Sequence, residues 1–319
     1  MKKLTMKDIG ILTNVSQSTV SRVINGHPNV KEDVRQRVLK CIKDNNFMPD
    51  LSAKIMRGQN TKILGFISTG FENLYYLEMV KFVEKEARKR NYTVIVMNSE
   101  KDEKLEKAHI KELITRKVDG LIIAPVSHKN LKLAKDNKIP FVVVNEEVKW
   151  ADSFYTSLFH AGSEVANFFK KNNFKKVGYI GEINSEKLNG FLSEINKEKL
   201  LNSESSNILF TIEKGFKKKI KNIVKDIDLT CDAFFMSSDE IALSVLKETR
   251  KQNIPLHTKE IVTFDNTTIA ETMELSSIQQ PMEEMIEIAM EVLTKKINNE
   301  INFEKIFNVE LKAKLIKRH

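Results

Sequence analysis

Two hydrophobic rhythms divide this chain. Over residues 14–26, NVSQSTVSRVING, Val15, Thr19, Val20 and Val23 recur at helical spacing on one side, leaving Gln17, Ser18, Ser21, Arg22 and Asn25 on the other. Thr5 with Asp8 three residues on forms a capping box ahead of Ile9, Ile11 and Leu12. The helix it starts should stop near Thr13–Asn14, because Asn tolerates the left-handed turn needed there. Ser16 then caps a second helix running to about Asn25, with Gly26 and Pro28 as its stop. A third helix is expected over roughly 31–45, with Val34, Val38, Leu39 and Ile42 on one face. Two short helices joined by a tight turn, the second polar outside, predict a helix-turn-helix.

From Lys62 the rhythm changes to alternating strands and helices. Strands are expected at 63–68 (ILGFIS), 93–98 (TVIVMN), 120–125 (GLIIAP) and 141–145 (FVVVN), with helices such as 75–89 and 103–116 between them. A second series begins near Val165, with strands at 177–181, 208–212, 233–238 and 260–264. Such alternation predicts parallel sheets with helices on both faces. Two successive series predict two similar lobes with a cleft between them. A helix from about 281 to 298 and a strand near 306–315 are late elements that return to the lobes.

Composition narrows the class. The 319 residues allow two or three domains, and a hydrophobic content of 41% supplies a large core. The 11 Gly and 6 Pro are too few for a linker-rich or fibrous chain. Apolar runs of about 18 residues are absent, so no transmembrane helix is expected. The opening MKKLTMKDIG lacks an apolar signal core, which points to the cytoplasm. Cys41 and Cys231 have neither metal-type nor redox spacing and are expected to be reduced. Net charge is +9, and residues 1–58 alone hold 11 Lys/Arg against 5 Asp/Glu, a net of +6. That basic head suits a polyanion.

The polar face of the second helix then acquires a chemical reading. An amphipathic surface helix would show a polar face of no particular use, but the local charge favours DNA. A helix in the major groove touches base edges with its N-terminal residues. Gln17 can pair bidentately with adenine and Arg22 with guanine. Ser16, Thr19, Ser21 and Asn25 are short donors suited to phosphates, and Thr5 and Ser18 complete the expected DNA-facing set. Catalytic patterns are scarce: there is no GxxxxGK[ST] loop, and the six His residues lie apart without ligand spacing. No enzyme, metal or cofactor is expected. A cleft ligand would sit beyond the C-terminal ends of the strands. The candidates there are Phe71, Tyr75, Asn145, Lys187, Phe210, Ser238, Asp239 and Asp265.

The VSxxTVSRVxNG core, the Pro28-Asn29-Val30 ahead of the third helix and the aromatic-x-Pro at Phe47–Pro49 resemble the DNA-binding head of the lactose-repressor (LacI/GalR) family. The resemblance covers nearly the full length. It implies a three-helix head at 1–49, a hinge helix at 50–59 and a two-lobed body at 60–319 similar to periplasmic sugar-binding proteins. Lobe one would comprise about 60–158 and 281–305, and lobe two about 159–280 and 306–319. It also implies a homodimer on double-stranded operator DNA that regulates genes of carbohydrate metabolism, as a repressor, under an effector in the body. In the hinge DLSAKIMRG, Ala53 and Met56 fall where the family places a small residue and an apolar wedge for the minor groove.

In sugar- and purine-binding relatives an Arg three residues before a Gly-aromatic pair grips the effector, and KLNGF puts Lys187 at that place. Lys lacks the guanidinium fork, so the expected effector shifts from a neutral sugar toward a sugar phosphate. SSDEIAL (237–243), VTFDNTT (262–268) and SSIQQPMEEM (276–285) resemble the catabolite control branch, which adds a phosphorylated carrier protein of the sugar phosphotransferase system as a candidate partner. Gln17-Ser18 departs from that branch's usual pair, and Thr263 stands where the family has Gly. The competing expectation is a cytoplasmic sugar or sugar-phosphate binding protein whose head does not read DNA.

Overall fold

The computed structural model describes residues 4–24, 26–47, 60–182, 185–197, 209–211, 220, 224–227 and 229–318. The chain divides into two compact units, Met1–Thr61 and Lys62–His319. The expected hinge, including Ala53 and Met56, lies outside the described residues, as does Asn25.

The first unit holds α1 (Met6–Thr13), α2 (Gln17–Ile24) and α3 (Glu32–Asp44). Its local signals act as expected. Thr5 and Asp8 form the reciprocal capping box, and Asn14 closes α1 in the left-handed region at φ 55°. The Thr19 N–H donates to Ser16 Oγ at 3.1 Å, which caps α2. Met6, Ile9, Val20, Val23, Val38 and Phe47 form the small core, with Val34 and Ile42 packed against it. Leu39 departs from expectation: it is 43% exposed, because Val38 takes the inward position on that turn. Ile11 and Leu12 also face outward on α1.

The second unit has two six-stranded sheets. The first runs in the order β11-β5-β4-β3-β1-β2 and is parallel throughout. Its strands are β1 (Ile63–Ser68), β2 (Thr93–Asn98), β3 (Gly120–Ile123), β4 (Phe141–Val144), β5 (Ser153–Thr156) and β11 (Asn308–Leu311). The second runs β12-β10-β9-β8-β6-β7, with only β10 and β12 antiparallel. Its strands are β6 (Val177–Gly181), β7 (Leu209–Thr211), β8 (Ala233–Met236), β9 (Glu260–Phe264), β10 (Ser276–Gln279) and β12 (Lys314–Ile316). Helices α4 (Leu74–Lys89), α5 (Glu103–Thr115), α6 (His128–Asp136) and α11 (Met282–Ile297) accompany the first sheet. Helices α7 (Leu158–Lys171), α8 (Glu186–Lys197), α9 (Asp239–Lys251) and α10 (Thr268–Thr272) accompany the second. Each sheet has apolar clusters on its two faces: Phe66, Met79, Phe154 and Met290 in one and Ile110, Leu121 and Val143 in another for the first lobe, with Phe169, Phe191 and Phe264 in one and Phe234, Met236 and Val245 in another for the second.

The backbone crosses between the lobes three times: from β5 to α7, from β10 to α11 and from β11 to β12. The last crossing corrects the expected lobe boundary. Residues 306–319 are divided between the lobes, because β11 extends the first sheet beside β5 and only β12 joins the second. Strands β5 and β10 lack the apolar runs that announce a strand. Ser276 and Ser277 on β10 are fully buried, and the hydroxyl of Ser277 is hydrogen-bonded inside the lobe. Among the described residues no helix is long and apolar enough to cross a membrane.

Candidate functional sites

In the head, the side of α2 opposite Val20 and Val23 presents Gln17, Ser18 and Arg22 to solvent. Ser16 is exposed but engaged: its hydroxyl lies 2.7 Å from that of Ser18 and 2.8 Å from that of Thr19. Ser21 and Thr19 are half-buried. Thr5 is occupied at the start of α1, where its hydroxyl donates to Asp8 Oδ2 at 2.6 Å. The loop after α2 is held from α3, since Arg35 donates to the His27 carbonyl at 2.6 Å. The result is a helix with a long cation and an amide on its outer side, followed by a loop tied to α3.

In the body, the C-terminal ends of β4, β6, β8, β9 and β10 bring Asn145, Glu182, Ser237, Asp265 and Gln280 toward the boundary of the lobes, and α4 adds Tyr75 and Tyr76. The Tyr75 hydroxyl donates to Asn145 Oδ1 at 2.9 Å, and Asn145 Nδ2 donates to the Tyr76 oxygen at 3.2 Å. The two tyrosine rings meet edge to face at 5.4 Å. Burial pushes the Tyr75 phenol well above its ordinary pKa, and the charge of Asp265 on the other lobe adds to that. The lobes also touch directly, where the Leu74 N–H donates to Glu240 Oε1 at 2.9 Å.

Lys187 sits in the first turn of α8, which crosses α7 with the two backbones in contact. A Cβ on Gly162 would lie 1.9 Å from the Lys187 carbonyl oxygen, and one on Gly190 would lie 1.8 Å from that of Phe159. Only glycine permits this crossing. The Lys187 ammonium has partners within its own lobe. It donates to the Ser237 carbonyl at 2.8 Å and lies 3.7 Å from the centre of the Phe264 ring, where the ring's negative face holds it.

Two candidates hold structure within the second lobe. Ser238 caps α9, accepting from the Ile241 N–H at 3.3 Å. Asp239 is fully buried and accepts from the Thr263 hydroxyl at 2.5 Å, the Thr267 N–H at 2.6 Å, the Thr267 hydroxyl at 2.8 Å and the Ser277 hydroxyl at 3.1 Å. Its carboxylate ties α9 to β9 and β10 and is spent there. This accounts for Thr263, whose hydroxyl a glycine would not supply. Phe71 is half-buried after β1, and Phe210 lies on β7. Sequence reasoning missed Tyr76, Gln280 and Glu240. The position of Gln280 after β10 became readable only once β10 was recognised as a strand.

Asp265 is a second strongly perturbed group of the cleft. It follows β9 in the left-handed region at φ 99° and accepts from Gln280 Nε2 at 2.9 Å. Burial pushes its carboxyl up to about 7; Lys187 opposes the rise, while Asp239 and Glu240 reinforce it. A carboxyl raised on folding stabilises the protein most when protonated, and that contribution is lost as pH rises through the folded value. The wild-type body should therefore lose stability between about 4 and about 7 relative to Asp265→Asn. Thermal unfolding of both proteins across this range checks it, and parallel curves would remove Asp265 as the source. Among the described residues, no cluster of His, Cys, Asp and Glu could hold a metal ion.

Three family models match parts of the chain. Residues 5–50 match the model of bacterial regulatory proteins of the lacI family. Residues 61–190 match periplasmic binding proteins and the sugar-binding domain of the LacI family, and residues 166–319 match a periplasmic binding protein-like domain. Catabolite control protein A of Priestia megaterium is 27% identical over 313 residues, covering 93% of each chain. That of Staphylococcus aureus strain MRSA252 is 28% identical over 308 residues, again 93% of each. The lac repressor dimer bound to operator and the anti-inducer ONPF superposes with a TM-score of 0.81 at 16% identity, covering 99% of this chain and 98% of that one. The CelR–cellobiose complex superposes at 0.68 and 18% identity, covering 99% of both chains.

Proposed function

From the premise that the chain belongs to the lacI family of bacterial regulatory proteins, we propose that it is a dimeric repressor of carbohydrate genes. It is a sugar-responsive transcriptional regulator, with a DNA-binding head and an effector-binding body. The observation that carries the DNA reading is α2: Val20 and Val23 lock one side into the head, and Gln17, Ser18 and Arg22 are exposed on the other. Gln17 and Arg22 read base edges, while Ser16, Ser18 and Ser21 set the register on phosphates. Two heads are needed for a palindromic site, so the effector acts by changing how the dimer presents them. Tyr75, Asn145, Lys187 and Asp265 belong to the cleft that senses the effector, whereas Ser238 and Asp239 support it from behind.

The test is fluorescence anisotropy with fragments from the flanking genes. One palindromic fragment should bind far more tightly than the rest, with an affinity that falls steeply with salt, and a sugar should release it. Equal affinity for all fragments would support a ligand-binding protein without DNA readout. The identity to catabolite control proteins favours a second input, a phosphorylated carrier protein of the sugar phosphotransferase system. Adding that carrier to the same titration decides it: tightened operator binding is expected if it is a corepressor, and no change excludes it.

A further inference from the structure

The charge at the lobe boundary selects among sugars. Asp265 is buried, and the carboxylates of Asp239 and Glu240 lie close enough to act on it, against a single neighbouring cation, Lys187. That cation is already engaged by the Ser237 carbonyl and the Phe264 ring. Beside Asp265, Gln280 is 7% exposed; its Nε2 is spent on the Asp265 carboxyl, and its Oε1 is buried with no hydrogen-bond partner. Glu240 Oε2 is likewise buried without a partner, although its Oε1 takes the Leu74 N–H. The unmet needs at this place are those of acceptors. A buried acceptor without a donor is costly, and more so for a charged group. A phosphate would bring further negative charge and only acceptors. A hydroxyl would satisfy one acceptor but leave the charge uncompensated.

We propose that the effector of this cleft is a sugar bearing a protonated amine, whose ammonium sits between Asp265, Gln280 Oε1 and Glu240 Oε2. Three N–H donors on one nitrogen match three acceptors drawn from the ends of β9 and β10 and the start of α9. On the opposite lobe the hydroxyls of Tyr75 and Tyr76 are joined through Asn145, which supplies polar groups for the rest of the sugar. In the free protein burial raises the Asp265 carboxyl to about 7, and the nearby Asp239 and Glu240 reinforce the rise. In the complex the ligand ammonium offsets their charge. This inference rests on the effector-binding reading above and replaces the sugar phosphate expected from Lys187.

The experiment is calorimetric titration of the full-length protein at neutral pH with four probes: glucosamine, N-acetylglucosamine, glucose and glucose 6-phosphate. Glucosamine should bind at least about tenfold more tightly than its neutral counterparts, the order of effect expected of one partly buried charge pair. Glucose 6-phosphate should be the weakest. Asp265→Asn, which keeps the shape and tolerates the positive φ, should bring glucosamine and N-acetylglucosamine to within about threefold of each other. Lys187→Met should sharpen the preference for the amine. A preference for glucose 6-phosphate that Lys187→Met abolishes would overturn the proposal. So would equal affinity for glucosamine and N-acetylglucosamine, or no binding by glucosamine. Operator binding without any sugar is measured separately. Its absence would sink the regulator reading while leaving the amine preference standing.

Discussion

Arg22→Ala should abolish operator-specific binding while leaving the head folded. Arg22 is exposed on α2, and the residues that hold that helix in the head core are Val20 and Val23. Alanine is the best helix former, so the truncation removes only the guanidinium. A good bidentate contact to guanine is worth about 1–3 kcal/mol of discrimination per half-site, and the proposed dimer would lose it twice. Affinity for the operator should fall toward that for random DNA, with the circular dichroism spectrum and melting temperature unchanged. Gel shift against matched specific and random duplexes measures it. An operator affinity equal to that of the wild type would remove Arg22 from base reading and leave Gln17 as the remaining candidate.

The second large effect is expected at Lys296, near the end of α11. Its ammonium, 5% exposed, donates to Asp152 Oδ2 at 2.6 Å and to the carbonyls of Phe303 and Lys305 at 3.0 and 2.7 Å. All three N–H bonds are used. They fasten the end of α11 to the start of β5 and to the loop leading into β11. Asp152 is 4% exposed, and its other donor is the Phe307 N–H at 3.0 Å. Burial raises its carboxyl pKa, and Lys296 and the Phe307 N–H pull it back. Lys296→Met keeps the stem but leaves a buried carboxylate without its cation, at a cost of about 3–5 kcal/mol. Urea unfolding should show the loss, and Asp152→Asn added to Lys296→Met should recover much of it. A loss below about 1 kcal/mol would mean that water or a shifted backbone replaces the ammonium.

The head was legible in the sequence because its determinants are local. A capping hydroxyl and the amide it accepts are three residues apart, and the core of α2 repeats within two turns. Val20 and Val23 could therefore be placed inside, and Gln17, Ser18 and Arg22 outside, without knowing the rest of the chain. Strands β1 to β4 announce themselves by runs of apolar residues, as strands buried on both faces must. Candidate positions in the cleft followed from where those runs end.

Tertiary structure alone decided what each of those residues does there. Nothing local distinguishes Asp239 from Asp265: each follows a strand, and each could accept from a ligand. Asp239 is spent because Thr263, Thr267 and Ser277, 24 to 38 residues away, are brought against it when β9 and β10 pair. The Asp265 carboxyl accepts from Gln280, which arrives with its own acceptor unpaired among the described residues. The motif around Lys187 says nothing of the Ser237 carbonyl, 50 residues on, to which its ammonium donates. The last strand divides for the same reason. Residues 308–316 carry no mark of the sheet they join, and β11 and β12 are separated only by the edges that β5 and β10 leave open. Periodicity and capping are properties of neighbours along the chain. Hydrogen-bond satisfaction and buried charge depend on neighbours in space, and these fixed the chemistry of the cleft.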